Sequence, residues 1–218
     1  MPKIVDHQQR REQLAEAVFR LVVREGLASA SVRNVAAEAG WSSGSVRYYF
    51  PRHDELKAFA AEVASRRIAH DVVNRLPTDP SQCAPVEFAA RCMESLLPLD
   101  QKRRAEYKLW VDLVQRESGL PAEERSLLWA GQRSLCRDVI AHLIGTGSAR
   151  LASHSMPERI HVPLPSPDAE QLAHHLHIFI DGLASQMMFL PHEVNAELAR
   201  TTLRDFLALL RGETSSQN

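Results

Sequence analysis

The sequence is poor in the features that staple small domains or seat a chain in a membrane. It has only three cysteines, Cys83, Cys92 and Cys136, in 218 residues. Their odd number and the lack of C-x-x-C spacing exclude a disulfide framework and a zinc ribbon, so they read as reduced, buried thiols. No stretch reaches the roughly 18 consecutive apolar residues that a membrane-spanning helix requires. The segment from Met1 to Arg10 carries Lys3, Asp6, His7 and Arg10 in place of the apolar region of a signal peptide. A cytoplasmic protein with no membrane partner is therefore expected. No alternating strand pattern bounded by turn residues is present, which leaves an all-α fold.

Chemistry-bearing constellations are equally scarce. His174 and His177 share a helix face at i, i+3, but no nearby cysteine completes a metal set, so no metal site is assigned. Gly145-Thr-Gly-Ser has no strand before it and does not read as a nucleotide loop. No nucleophile, base and orienting group fall into a set, so no catalytic residue and no cofactor are assigned, and an enzyme is not expected.

What the sequence does have is helical period. Residues His7 to Glu25 place Leu14, Val18, Leu21 and Val22 on one stripe, and Gly26 ends the segment. Two short helices follow, Val32 to Ala39 and Ser43 to Tyr49. A fourth starts after Pro51 near Asp54 and runs to Leu76, where Pro77-Thr-Asp-Pro80 breaks it. Five more are predicted over 85–97, 100–118, 121–144, 168–189 and 193–211, with Pro85, Pro98, Pro121, Pro167 and Pro191 near their junctions. Residues 145–167 read as a long loop and the polar tail 213–218 as disordered. About nine helices result.

The most informative stretch runs from Ser31 to Phe50. Ser31 is placed to cap a short helix whose Val35, Ala36 and Ala39 face inward, and Gly40 supplies the positive φ of a tight turn. Ser42 then caps the next helix. This is a helix-turn-helix, whose second helix enters the major groove with its N-terminal residues at base edges. Ser43, Gly44 and Ser45 are small enough for close backbone approach, Arg47 suits a guanine edge, and Tyr48 and Tyr49 suit phosphate. Charge agrees in sign: residues 1–57 hold nine Lys/Arg against seven Asp/Glu, +2, leaving −3 for the rest of a chain whose net charge is −1.

Ala39-Gly40-Trp41-Ser42, Gly44, Tyr48-Tyr49-Phe50 and Asp54-Glu55-Leu56 together resemble the DNA-binding domain of the TetR family of regulators, over about residues 8–60. The resemblance implies a three-helix DNA-binding domain at 1–55, a ligand-binding and dimerisation domain at 56–212, and operator DNA as partner. Candidate DNA contacts are Ser31, Arg33, Ser42, Ser43, Gly44, Ser45, Arg47, Tyr48, Tyr49, His53 and Lys57. The family commonly has lysine three residues after the phenylalanine, where this chain has His53. A histidine makes a weaker phosphate contact that depends on pH.

Glu106-Tyr-Lys-Leu-Trp110, Trp129 and Ile180-Asp-Gly-Leu183 are similar to the C-terminal domain of the BetI-like subgroup, which implies an effector without naming it. In helix 168–189, Leu172, Leu176, Phe179, Leu183 and Met187 form one stripe and Ile178, Gly182, Ser185 and Phe189 a second. One core accounts for one stripe. Helix 193–211 is apolar over more than half its circumference, leaving Glu193, Glu197, Arg200, Arg204 and Arg211 for water, whereas a surface helix needs an apolar face of only about 100°. A homodimer is expected through Ile178, Gly182, Ser185, Phe189, Leu203, Phe206, Leu207 and Leu210.

A pocket for an unknown small molecule is expected among Phe59, Val63, Arg67, Phe88, Cys92, Trp110, Val114, Trp129, Gln132, Cys136 and Phe179. Gln132, in the middle of an apolar stripe, must bond either protein or ligand. The resulting expectation is a DNA-binding regulator, a repressor released from a palindromic operator by an effector. A helical binding protein or enzyme with a merely structural helix-turn-helix, and a ligand-independent DNA binder, are the alternatives.

Overall fold

The computed structural model describes residues 7–118, 127–146, 164 and 166–212. Among them lie nine α-helices and no strand: α1 His7–Glu25, α2 Val32–Ala39, α3 Ser43–Tyr49, α4 His53–Arg75, α5 Pro85–Glu94, α6 Gln101–Glu117, α7 Leu127–Leu143, α8 Pro167–Phe189 and α9 Ala196–Arg211. Short 3₁₀ turns at Leu27–Ser29 and Pro80–Gln82 add to these. The tail 213–218, most of the loop expected at 145–167 and the first residues of the helix expected from 121 lie outside the described residues.

The chain divides into two compact units, Met1–Ile68 with Ala105–Ser126, and Ala69–Arg104 with Leu127–Asn218. The first of these units runs past residue 55 to Ile68, within α4. Most of α6 joins the N-terminal unit, an assignment invisible to a linear reading because it depends on a return of the chain.

In the first unit, Leu14, Val18, Leu21 and Val22 of α1 are buried, as are Val35 and Ala36 of α2, against which α1 packs, Val46 of α3, and Leu56, Ala60 and Ala64 of α4. Ser31 and Ser42 cap as expected: their hydroxyl oxygens accept from the amides of Asn34 at 3.2 Å and Ser45 at 3.0 Å. Gly40 has φ 67°, closing α2 in the left-handed conformation that a side chain disfavours. Ala39, expected inside with Val35 and Ala36, is only half-buried.

In the second unit the apolar faces of α5, α7, α8 and α9 share a core that includes Phe88, Met93, Ile140, Leu176, Ile180, Met187 and Leu203. Two helix ends differ from expectation by three residues, and local hydrogen bonds explain both. The Ser95 hydroxyl donates to the Cys92 carbonyl at 2.6 Å, tightening the last turn so that α5 stops at Glu94. Asn195 caps α9 by accepting from the amides of Glu197 and Leu198, both at 3.0 Å, so the helix starts at Ala196.

Arg200 and Arg204 do not simply face water. They pair with Glu94 at 3.1 Å and Glu87 at 2.9 Å on α5, because the polar edge of α9 lies against the acidic edge of that helix. Leu203 and Leu207 are expected at the dimer interface. Both are fully buried inside the protomer, so they belong to its core and have no surface left for a partner.

Candidate nucleic-acid interface

The candidate DNA-contacting residues lie on α2, α3, their caps and the start of α4, and most of them are exposed. Val46 anchors α3 by its fully buried side chain, while Ser43, Gly44, Ser45 and Arg47 are exposed around it. Tyr48 is 73% exposed and meets the half-buried Tyr49 edge to face at 5.4 Å. Tyr49 in turn packs on Trp41 at 5.8 Å, so the pair is one anchored ring and one presented ring. Arg33 and His53 are exposed, and Lys57 is half-buried.

Three serines serve the fold before they serve a ligand. Ser31 is engaged as the cap of α2, and the hydroxyls of Ser42 and Ser45 lie 2.9 Å apart at the cap of α3. Gly44 is not demanded by internal packing. A Cβ there would meet only the Ser42 hydroxyl, at an ordinary 3.7 Å, so the missing side chain keeps the outer surface open.

One acidic side chain of α2 is already paired within the protein. Glu38 of α2 is drawn away by Arg20 and Arg24 of α1, both at 2.9 Å. The hydrogen bonds from Arg24 and Arg20 hold its carboxyl below the usual range, so it stays ionised and paired. At the start of α4 the Glu55 carboxylate accepts from the Arg52 amide at 3.3 Å, which ties down the residues that carry His53. Arg10, noted in the sequence only as an N-terminal charge, stands over the Trp41 ring at 5.1 Å and adds a cation beside the turn. Its signal was too weak to find, since an isolated arginine near the start of a helix has no distinctive spacing.

The expected pocket residues are divided between the two units. In the first, Phe59 packs on Phe50 at 4.8 Å, Arg67 pairs with Glu16 at 3.0 Å, and Trp110 stacks with Tyr107 at 5.6 Å. Val63 and Val114 are half-buried. In the second, Phe88, Cys92 and Cys136 are fully buried core, and Phe179 stacks with Phe206 at 3.9 Å. Burial pushes the Cys92 thiol up to about 12 and the Cys136 thiol up as well, which keeps both protonated.

Gln132 and Trp129 belong to a polar cluster between α7 and α8. Gln132 donates to Asp181 at 2.6 Å, and the His177 ring lies 5.6 Å from Trp129 with Nε2 3.7 Å from the other Asp181 oxygen. Burial raises the Asp181 carboxyl and lowers His177, each disfavouring its charged form. His174, expected on the same face as His177, is instead exposed, with Nδ1 3.5 Å from Arg133. Asp181 escaped the sequence reading although its i, i+4 spacing from His177 was visible. Among the described residues no group of three His, Cys, Asp or Glu side chains is placed to hold a metal ion, and no helix is long and apolar enough to cross a membrane.

Comparison with known proteins accords with this geometry. Residues 85–212 match the family described as BetI-type transcriptional repressor, C-terminal. The transcriptional regulator PksA of Bacillus subtilis is 28% identical over 90% of this chain and 87% of its own length, and BetI of Vibrio vulnificus is 26% identical over 95% of each. A crystal structure of a transcriptional regulator from a Rhodococcus species superposes with a TM-score of 0.65 and 27% identity, covering 95% of this chain and 98% of that one. One from Saccharomonospora viridis, in complex with choline, superposes with a TM-score of 0.67 at 22% identity, covering 92% and 96%. The chain belongs to the BetI-type group of TetR-family transcriptional repressors and is a DNA-binding transcription regulator.

Proposed function

We propose that this regulator acts in the cytoplasm as a homodimeric repressor that reads a palindromic operator with α3 and is released by a small organic effector. The observation that carries the reading is the division of α3, with Val46 fully buried and Ser43, Gly44, Arg47 and Tyr48 presented outward. A helix held by one buried side chain and one formed serine cap needs little ordering when it meets a groove. Arg47 reads a base edge; Tyr48, Arg33 and His53 position on phosphate.

The dimer reading rests on apolar surface that the protomer leaves uncovered. Ile178 is 58% exposed and Phe189 82%, and on α9 Leu209 is 64%. An added Cβ at Gly182 would meet nothing within 4 Å, so this glycine answers no need inside the protomer and suits close approach by a second helix. Ser185, Phe206 and Leu210 are half-buried beside these residues and complete the proposed interface.

For the effector, the cluster of Trp129, Gln132, His177 and Asp181 supplies an aromatic face and a desolvated carboxylate, and the relative solved with choline makes choline the first compound to test. The experiment is a gel shift with a duplex selected by the protein from a random pool. Binding should weaken with salt, require the dimer and be relieved by effector. Binding indifferent to salt and to dimer-breaking substitutions would overturn the reading.

A further inference from the structure

We propose that Asp112 of α6 is a positioning residue for DNA recognition, capping from afar the turn that leads into the helix-turn-helix. The amide of Leu27 donates to the Asp112 carboxylate at 3.3 Å, a bond between residues 85 apart in sequence. Leu27 opens the 3₁₀ turn, and Gly26, the residue in the capping position, makes no side-chain cap of its own. The first amides of a helical turn have no partner within it. Asp112 supplies the acceptor that Gly26 lacks.

The joint is shaped to receive that carboxylate. Gly26 has φ 82° and ψ 165°, outside what side chains tolerate, and a Cβ built on it would lie 3.2 Å from the Asp112 Oδ2 atom. Glycine here therefore answers two needs at once, the turn of the backbone and the room for a side chain from α6.

From Leu27 the connection to the DNA-reading helices is short. The Ser29 carbonyl, two residues on, accepts from the Asn34 side chain at 2.9 Å, and Asn34 stands in the first turn of α2. Asp112 thus fixes the turn, the turn fixes the start of α2, and α2 carries α3 through the Gly40 corner. α6 itself runs covalently from Gln101–Arg104 in the second unit into the first. A protein whose binding pose is populated only in part binds more weakly by that fraction, so loss of the cap lowers operator affinity without removing any DNA contact.

The test compares Asp112→Ala with Asp112→Asn, whose side-chain carbonyl keeps an acceptor. The readouts are affinity for a duplex selected by the wild-type protein and hydrogen exchange at the Leu27 amide. Ala should bind roughly five- to tenfold more weakly, the loss that goes with one helix cap, and should expose the Leu27 amide while core amides such as Val46 stay protected. Asn should remain within about twofold of wild type on both readouts, a rescue that plain packing does not predict. Wild-type affinity in the Ala variant, or equal losses in Ala and Asn, would overturn the proposal. If Ala fails to fold, Asn decides: an unprotected Leu27 amide or weakened binding in that folded variant sinks it.

Discussion

Gln132 and Asp181 join α7 to α8 by a 2.6 Å hydrogen bond, and the carboxylate so held lies within 3.7 Å of the buried His177 ring. The bond answers what a lone amide in an apolar stripe is doing there. Its partner is another helix of the same protomer.

Replacing Gln132 with Leu should therefore leave a partly desolvated carboxylate short of a donor. The expected cost is about 1 kcal/mol, the low end of the range for such losses, because Asp181 keeps 41% of its side chain exposed. Gln132→Leu combined with Asp181→Asn should cost less than the two single changes added together. Urea unfolding of the four proteins provides the comparison, and strict additivity would mean the two residues are not coupled.

A second expectation concerns acid. His142 packs on Phe88 with ring centroids 4.8 Å apart, and burial, assisted by the charge of Arg211, holds it below the ordinary 6.5. The unfolded chain then binds a proton that the folded one resists, so stability is full above the ordinary value and is lost as pH falls below it towards the lowered one. His177 has the same sign, whereas Asp181, raised on folding, opposes them at lower pH. The melting temperature should drop between about pH 7 and pH 5, and His142→Phe should shrink the drop without abolishing it. An unaltered slope in that variant would assign the effect to other groups.

At the DNA face, Gly44→Ala separates folding from recognition. The added methyl meets only the Ser42 hydroxyl at 3.7 Å, and alanine is the better helix former, so stability should hold or rise by up to about 1 kcal/mol. Operator affinity should nonetheless fall, because in the proposed reading the methyl stands where the DNA backbone approaches. Arg47→Ala should weaken specific binding by about 1–3 kcal/mol and relax discrimination at one base pair. Anisotropy titrations at fixed salt measure both; undiminished affinity in Gly44→Ala would show that α3 does not approach the groove by its first turn.

The two serine caps, the Gly40 corner and the bounds of α1, α2 and α3 were legible because they are local: a hydroxyl and an amide three residues apart need no tertiary information. The second stripe of α8 was legible for a related reason, since Ile178 and Phe189 are separated by helical period alone. What sequence did not disclose was pairing at a distance. Asp112 reaches Leu27, Arg204 reaches Glu87 and Gln132 reaches Asp181 across separations that carry no spacing rule. The assignment of Leu203 and Leu207 to a dimer failed for the same reason. Period shows that a face is apolar, and only packing shows which part of it the protomer covers.

That distinction gives the last prediction. Ile178 and Phe189 lie on the uncovered face of α8, whereas Leu203 has no exposed surface at all. A charge at Ile178 or Phe189 enters water in the monomer and is buried without a partner in the proposed dimer, so Ile178→Glu and Phe189→Glu should dissociate the dimer with little loss of protomer stability. Leu203→Ala should do the reverse. It opens a cavity in a close-packed core at a cost of about 2–5 kcal/mol and leaves no changed surface for a partner to meet. Because two recognition helices must be spaced to enter successive major grooves, the dissociated variants should also lose most operator affinity while still folding. Sedimentation analysis alongside thermal unfolding distinguishes the two classes. Ile178→Glu and Phe189→Glu remaining dimeric would move the interface to another face of the protein.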